Sequence, residues 1–340
     1  MTSTQEEVYQ QPEKNIGEVV LDVRDLRTYL YTRWGITKAV DGLNFQVRAG
    51  ETLGIVGESG CGKSMTALSL LRLAPKPAAR TVSGQIFLEG EDILERSESD
   101  MRFIRGQKIS MILQDPMTSL NPVFTVGNQM VEGLGLYYQQ EDSKSLKGRA
   151  VDILRKMGVA APERRVLDYP HQMSGGMKQR VLGAIAIASV PKVIIADEPT
   201  TALDVTIQLQ YLRLLKDIQA ETGMAIIFIT HDFGIVARMC DRVAVMYAGK
   251  MVEQSQVEPL FDDPAHPYTE ALLKSVPDLD LDVDLLPSIE GQPPSLDNLP
   301  PGCAFAPRCP YVFDKCSEFP PQFVIDAGHT ALCWRHDSAT

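Results

Sequence analysis

The chain has 340 residues, 44% hydrophobic and 23% charged, the balance of an ordinary globular protein with room for one large domain and an appendage or for two modest domains. No apolar run approaches the roughly 20 residues that a membrane-spanning helix needs. The formal net charge of −11 argues against the broad basic footprint of a nucleic-acid binder, while leaving room for a local basic patch.

Residues Met1 to Gly17 are polar and rich in Gln and Glu, with neither a basic start nor an apolar core. They read as a disordered tail ending near residue 18, not as a signal peptide. Residues 19–56 read as short strands with turns at Gly42 and Gly50. The last run, Thr52-Leu53-Gly54-Ile55-Val56, feeds into Gly57-Glu58-Ser59-Gly60-Cys61-Gly62-Lys63-Ser64, which matches G-x-x-x-x-G-K-[ST]. An apolar-periodic stretch from Met65 to Leu73 follows, so a helix is expected over 63–74. Strand, loop and helix in this order are the context a phosphate-binding loop requires. The glycines let the backbone curl so that its N–H groups point at phosphate oxygens. Lys63 brings a positive charge to the β- and γ-phosphates, and the Ser64 hydroxyl can ligate Mg²⁺. The positive end of the helix faces the same site. The bland alternative is a Gly-rich turn with a solvated lysine.

Residues 81–113 read as strand, closing with Ile109-Ser110-Met111-Ile112-Leu113 ahead of Gln114, and residues 126–190 read as mainly helical. Within them, Met173-Ser174-Gly175-Gly176-Met177-Lys178-Gln179-Arg180 is a capped helix start. Ser174 can act as N-cap, and Gly175 and Gly176 leave backbone N–H groups for an anion. Taken alone, this is more simply a capped core helix. Two apolar runs follow, Val193 to Ala196 and Ala225 to Ile229, separated by a helical pattern with Leu209, Leu212, Leu215 and Ile218 on one face. Strand, helix and strand with wholly apolar strands argue for parallel pairing buried on both faces.

The first of these strands ends in Asp197-Glu198-Pro199. A buried strand should not end in two charges without a cation or a proton to manage them. Asp197 is placed to hold Mg²⁺, and Glu198 to orient or deprotonate an attacking water. The rival reading is a pair of helix-capping carboxylates. Gln114 and His231 also lie just past strands. Singly they would be a surface amide and a structural histidine. With Lys63 and Asp197 they occupy strand ends, where open α/β sheets bind ligands. Val243 to Tyr247, Ala248-Gly249 and Lys250 to Glu253 read as a late hairpin.

Beyond Glu258 the composition shifts. Residues 259–301 are rich in Pro and Asp, and Asp278 to Leu286 alternates Asp with apolar residues, as an edge strand or, preferably, a solvated linker. Four of the six cysteines then crowd together as C-x5-C-x6-C-x16-C: Cys303, Cys309, Cys316 and Cys333. Clustered reduced thiols read as metal ligands before disulfides. Four thiolates suit a [4Fe-4S] cluster or tetrahedral Zn²⁺, and the wide spacing favours iron–sulfur. Free thiols or disulfides are the remaining reading. A short, Pro-rich segment gains a staple from such a site, so a structural role is expected.

Taken in order, the phosphate loop, Gln114, the Ser-Gly-Gly helix start, Asp197-Glu198, Ala202-Leu203-Asp204 and His231 resemble an ABC transporter ATPase, over about residues 20 to 335. Gln114-Asp115-Pro116-Met117-Thr118-Ser119-Leu120-Asn121-Pro122 resembles the glutamine loop of the ATP-binding subunits of bacterial oligopeptide and dipeptide importers. Asp197 to Asp204 resembles their Walker B and D-loop. His266-Pro267-Tyr268 and the C-terminal cysteines resemble their extension.

The resemblance implies an α/β fold, the P-loop ABC nucleotide-binding domain, with a parallel-sheet core, an antiparallel β subdomain and a helical subdomain at about 115–190. This domain would span 19–258, with a small Pro/Cys-rich extension over 259–340. The implied activity is ATP hydrolysis that powers peptide import, with ATP, Mg²⁺ and a [4Fe-4S] cluster, or alternatively Zn²⁺, as cofactors. Two cassettes would close head to tail, each ATP lying between the loop of one and Ser174, Gly175 and Gly176 of the other, with Asp204 at the same site. Gln114 would join Ser64 and Asp197 at Mg²⁺ and report nucleotide state to the membrane subunits. The adenine-stacking aromatic falls among Tyr29, Tyr31 and Trp34, and Tyr31 is preferred. Met173 and Met177 depart from the Leu and Gln more usual in the signature, but the Ser and Gly pair is intact.

The implied partners are a second ATPase subunit, identical or related, two membrane-spanning permease subunits and, through them, an extracytoplasmic peptide-binding protein. The implied location is the cytoplasmic face of the inner membrane, without nucleic acid. A non-transport ABC ATPase of the ribosome-factor type with an iron–sulfur appendage is the rival. Such proteins usually carry two cassettes and a basic surface, unlike this chain. A metal-binding regulatory module with a degenerate ATPase is opposed by the intact Lys63, Asp197, Glu198 and His231. Import of nickel or another small solute is a further alternative.

Overall fold

The computed structural model describes residues 16–201, 203–276 and 288–337. The tail expectation falls almost wholly on residues 1–15, outside the described residues, as do Ala202 and the stretch from Asp278 to Leu286. Gly17 is described, and its N–H donates to the Ala49 carbonyl.

The chain opens with two long antiparallel strands, β1 (Val19–Thr32) and β2 (Gly35–Arg48), in place of several short ones. Gly42 is a bulge and not a turn. The pairing steps from Leu26 with Leu43 to Arg27 with Asp41, leaving Gly42 unpaired at φ 80°. Gly50, at φ 72°, does turn the chain, into β3 (Thr52–Val56). Helix α1 (Lys63–Leu70) stops short of the expected end, and Arg72 adopts φ 53° just beyond it. Strands β4 (Ala79–Leu88) and β5 (Glu91–Asp92) complete a four-stranded antiparallel sheet in the order β2-β1-β4-β5.

Helix α2 (Glu98–Gln107) replaces expected strand. Ser97 accepts from the Asp100 N–H while Asp100 accepts from the Ser97 N–H, a reciprocal capping box that nucleates the helix. Met101 and Ile104, three residues apart, bury one face. After β6 (Ile109–Ile112) the chain is helical, as expected, through α3 (Pro116–Ser119), α4 (Val126–Tyr137), α5 (Ser143–Lys156), α6 (Pro162–Arg165) and α7 (Gly175–Ile187).

Strand β7 (Val193–Asp197), helix α8 (Val205–Thr222) and strand β8 (Ala225–Ile229) form the expected parallel unit, with both strands wholly buried. Helix α9 (Phe233–Met239) leads to a hairpin of β9 (Arg242–Tyr247) and β10 (Lys250–Gln256). Its turn residues, Ala248 and Gly249, have φ 46° and 80°, the left-handed pair that a two-residue hairpin demands. The Pro-rich stretch after it begins with two helices where no element was expected. It forms α10 (Val257–Asp262) and α11 (Pro267–Lys274). Pro259 and Pro267 fall in first turns, where a missing N–H breaks no helical bond. Strands β11 (Phe323–Asp326) and β12 (His329–Ala331) close the described chain.

The larger sheet runs β11-β12-β10-β9-β3-β8-β7-β6, parallel from β9 to β6 and antiparallel beyond. Alternation along β7 and β8 splits the interior into two cores. Ile194, Ala196, Ile226 and Phe228 face one, with Leu134, Leu154, Val181 and Leu215 from the helices. Val193, Ile195, Ile227 and Ile229 face the other, with Leu70 of α1 and Leu21, Leu43 and Ile86 of the antiparallel sheet. The sheet is thus buried on both faces, and its strand ends are the places where polar residues can gather. Among the described residues no helix is long and apolar enough to cross a membrane.

The C-terminal segment is tied to the sheet through Glu253, a buried carboxylate on β10. It accepts from the backbone N–H groups of Ala265 at 2.7 Å and His266 at 2.9 Å, and lies 2.8 Å from Nε2 of buried His329. Glu253→Ala would orphan both N–H groups, at about 1–3 kcal/mol each. We expect urea unfolding to register a loss of about 2–6 kcal/mol and limited proteolysis to release the C-terminal segment sooner. Unchanged unfolding and cleavage would refute the tie.

Candidate nucleotide site

Four parallel strands deliver the expected residues to one edge of the sheet. β3 runs into the loop at 57–64, β6 into Gln114, β7 into Asp197 and Glu198, and β8 into Thr230 and His231. The loop's curl is sterically enforced. A Cβ on Gly57 (φ 151°) would meet the Met246 carbonyl oxygen at 2.1 Å, and one on Gly62 (φ 113°) the Ala39 carbonyl oxygen at 2.1 Å. Neither position accepts a side chain. Ser59, Gly60 and Ser64 are exposed, and Cys61 is buried. The buried Lys63 ammonium donates to the carbonyls of Gly57 at 2.7 Å and Glu58 at 3.0 Å.

Asp197 is buried, and its Oδ1 has no hydrogen-bond partner. Burial pushes its carboxyl above the usual range. The neighbouring Glu198 charge adds to this, while a hydrogen bond from Ser64 and the charge of Lys63 oppose it. An unpaired buried carboxylate oxygen is costly, and it is the hard donor that a magnesium ion takes. Asp197 with the Ser64 hydroxyl therefore fits Mg²⁺.

Glu198 is managed differently. Its backbone takes φ 44°, a left-handed conformation rare for a residue with a side chain, and its N–H donates to Ile229 at 2.9 Å. Such strain persists where the surroundings hold it. Here Gln114 Nε2 at 3.0 Å, Thr201 Oγ1 at 3.1 Å and His231 Nδ1 at 3.2 Å all reach the carboxylate. Burial alone would raise its proton affinity, but the bond and charge of His231, with Thr201 and Lys63, bring it below the usual range. Two adjacent carboxyls are thus pushed in opposite directions, the pattern that separates roles in one site.

The other expected residues are less concentrated. Ser174 is the N-cap of α7, accepting from the Met177 N–H, and Gly175 and Gly176 form its first turn. Asp204 caps α8 through the Ile207 N–H at 3.0 Å. Tyr31 near the end of β1 is 39% exposed, with the Arg80 guanidinium 5.2 Å from its ring, whereas the Tyr29 hydroxyl is committed to Asp41 at 2.7 Å. Trp34 is open to solvent beside Arg33.

Three contacts lay beyond sequence reasoning. Thr201, noted only within the stretch Asp197 to Asp204, was given no role, yet it donates to Glu198. Tyr268, noted only within His266-Pro267-Tyr268, accepts from the Glu58 N–H at 2.8 Å. Arg308 carried no signal, yet it pairs with the Glu58 carboxylate at 2.7 Å.

The four C-terminal cysteines are free thiols. The Cys303 N–H donates to the Cys316 carbonyl at 3.0 Å, joining two of their turns. Burial raises the proton affinity of Cys303, Cys309 and Cys333, the last to about 11, and neighbouring cysteines add to the effect. Four soft donors from one short segment have the chemistry of an iron–sulfur or zinc site. Among the described residues, however, no group of three or more His, Cys, Asp or Glu is disposed to hold a metal ion. The expected ligand set is therefore not formed among the described residues.

Two family models match the chain: ABC transporter over residues 40–201, and Oligopeptide/dipeptide transporter, C-terminal region, over residues 252–316. The chain is 52% identical over 321 residues to the probable peptide ABC transporter ATP-binding protein y4tR of Sinorhizobium fredii, covering 94% of this chain and 96% of that one. It is 47% identical over 319 residues to the oligopeptide transport ATP-binding protein AppD of Bacillus subtilis, covering 94% and 97% respectively. Among solved structures it resembles the dimeric bacterial ABC transporter cassette MJ0796, with TM-score 0.62 and 25% identity, over 70% of this chain and 98% of that one. The chain therefore belongs to the ABC transporter ATP-binding proteins, in the branch that carries the oligopeptide/dipeptide transporter C-terminal region.

Proposed function

We propose that this chain hydrolyses ATP to power the import of peptides, as a peripheral subunit on the cytoplasmic face of the cell membrane. The observation that carries the ATPase reading is the Asp197–Glu198 pair beside the phosphate loop, Asp197 with a buried oxygen that no donor satisfies and Glu198 held by Gln114, Thr201 and His231. The names of the relatives and the C-terminal region support peptides over nickel or another small solute.

The phosphates of ATP would lie on the backbone N–H groups of Gly57 to Ser64, with Lys63 reaching the β- and γ-phosphates. Magnesium would neutralise phosphate charge there, held by Ser64, Asp197 and Gln114. Glu198, ionised at neutral pH, would accept a proton from the attacking water or fix its direction. Gln114, Thr201 and His231 hold its carboxylate for that task. Tyr31 offers an open ring for adenine.

Ser174, Gly175, Gly176 and Asp204 would serve the ATP of a second cassette, a copy of this chain or a relative. The dimeric form of MJ0796 supports such pairing. Gln114 and the helical segment 115–170 would meet two permease subunits, which in turn receive peptide from an extracytoplasmic binding protein. The cassette would occupy 19–258 and the extension 259–340.

The extension would carry a [4Fe-4S] cluster on Cys303, Cys309, Cys316 and Cys333, with Zn²⁺ as the alternative. The four-thiol donor set supports this, and loading would have to deprotonate the thiols and draw them together. We expect anaerobically purified protein to contain iron and acid-labile sulfide in equal amounts. Zinc in their place would select the alternative, and neither metal would leave the cysteines as thiols. For the ATPase itself, Glu198→Gln should retain MgATP binding while turnover falls at least about 10²-fold, the scale of a lost catalytic base. Near-normal turnover would remove Glu198 from that role.

A further inference from the structure

Glu58, the second residue of the phosphate loop, is gripped from the C-terminal extension. Arg308 reaches both of its carboxylate oxygens, Nη1 to Oε2 at 2.7 Å and Nη2 to Oε1 at 3.0 Å. This is a bidentate, charge-assisted pair between residues 250 apart in sequence. The Arg308 side chain is only 4% exposed, and its Nε also donates to the Glu290 carbonyl at 3.0 Å. Fully buried Tyr268 accepts from the Glu58 backbone N–H at 2.8 Å. Its ring packs against Tyr247 and Phe305, with centroids 4.5 and 5.4 Å away.

These contacts bear on the loop in two ways. First, Glu58 is fixed at both its N–H and its side chain, so the peptide that follows it is oriented. The carbonyl of that peptide is one of the two that hold Lys63. Extension, Glu58 and Lys63 therefore form one continuous chain of contacts. Second, an acidic side chain next to a triphosphate would repel it, and Arg308 cancels that charge. The Arg308 guanidinium is taken out of water to reach a half-buried carboxylate, which costs desolvation and is a poor way to gain stability alone, so the pair's position on this loop calls for a functional reason.

We propose that the extension is part of the nucleotide site. Arg308 and Tyr268 are positioning residues that hold the phosphate loop in its binding shape through Glu58, and Arg308 screens the Glu58 charge from the phosphates. The inference rests on reading residues 57–64 as the ATP loop. It gives the C-terminal region a part in nucleotide affinity as well as in its own fold.

The test is MgATP affinity of the full-length chain, with thermal unfolding followed in parallel. Arg308→Met should weaken MgATP binding about tenfold or more, because it leaves the Glu58 charge uncancelled on the phosphate loop. Arg308→Lys, which keeps the charge but not the bidentate fork, should lose less. Tyr268→Phe should lose about threefold, as one hydrogen bond is removed. The double variant Glu58→Gln/Arg308→Met should bind MgATP more tightly than Arg308→Met, since the unscreened charge is gone. A purely structural role would move the melting temperature of Arg308→Met and leave its MgATP affinity unchanged, which would overturn the inference. A double variant no better than Arg308→Met would overturn charge screening. Should Arg308→Met not fold, Arg308→Lys and Tyr268→Phe decide, and native affinity in both would overturn the inference. A native chain that bound no MgATP would instead overturn the ATPase reading on which the inference stands.

Discussion

A carboxylate removed from water must find a proton, a donor or a cation. Asp197 ends a strand whose five residues are all buried, and one of its oxygens has no donor. Much of the surrounding architecture can be understood from that constraint. The parallel sheet places the phosphate loop, with Lys63 and Ser64, near the same strand end. The next residue, Glu198, leaves the strand in a left-handed turn and takes its own set of donors from two other strand ends. Two chemically identical groups, adjacent in sequence, thereby acquire opposite character. One keeps a buried oxygen that no donor satisfies and is suited to a metal ion. The other is held by donors from its neighbours and is suited to water.

The parts of this site that were legible in the sequence are those with local causes. The loop glycines, the apolar strands β7 and β8 and the Ala248-Gly249 turn each follow from sterics or burial within a few residues. Gln114 and His231 were legible at one remove, because strand ends in a parallel sheet converge. What escaped had a different physical origin. Helix α2 hides in a stretch read as strand, its capping box at Ser97 and Asp100 outweighing the extended pattern around it. Gly42 reads as a turn but is a bulge, because register depends on the partner strand. The Pro-rich composition after Glu258 suggested no helix, yet prolines in first turns are compatible with α10 and α11. Arg308 could not have been found, since nothing local ties an arginine in a Pro/Cys-rich tail to a loop near residue 58.

The extension is more than an appendage in consequence. Glu253 anchors it to strand β10, the Tyr247–Tyr268–Phe305 cluster packs it near the loop, and Arg308 reaches the loop itself. Arg308 directly precedes Cys309. Any event that reorganised the four thiols would therefore act one residue away from the grip on Glu58. This placement gives a physical reason for the cassette and its C-terminal region to occur in one chain, whichever metal, if any, the thiols carry.

ATP hydrolysis at this strand end should drive the movement of peptides across a membrane. The most direct measurement is uptake of radiolabelled short peptides by cells from which this chain has been deleted. Cells complemented with the native chain and with Glu198→Gln would be compared. Uptake should be lost on deletion, return with the native chain and not return with the variant. Undiminished peptide uptake by the deletion strain, or full rescue by Glu198→Gln, would contradict this coupling.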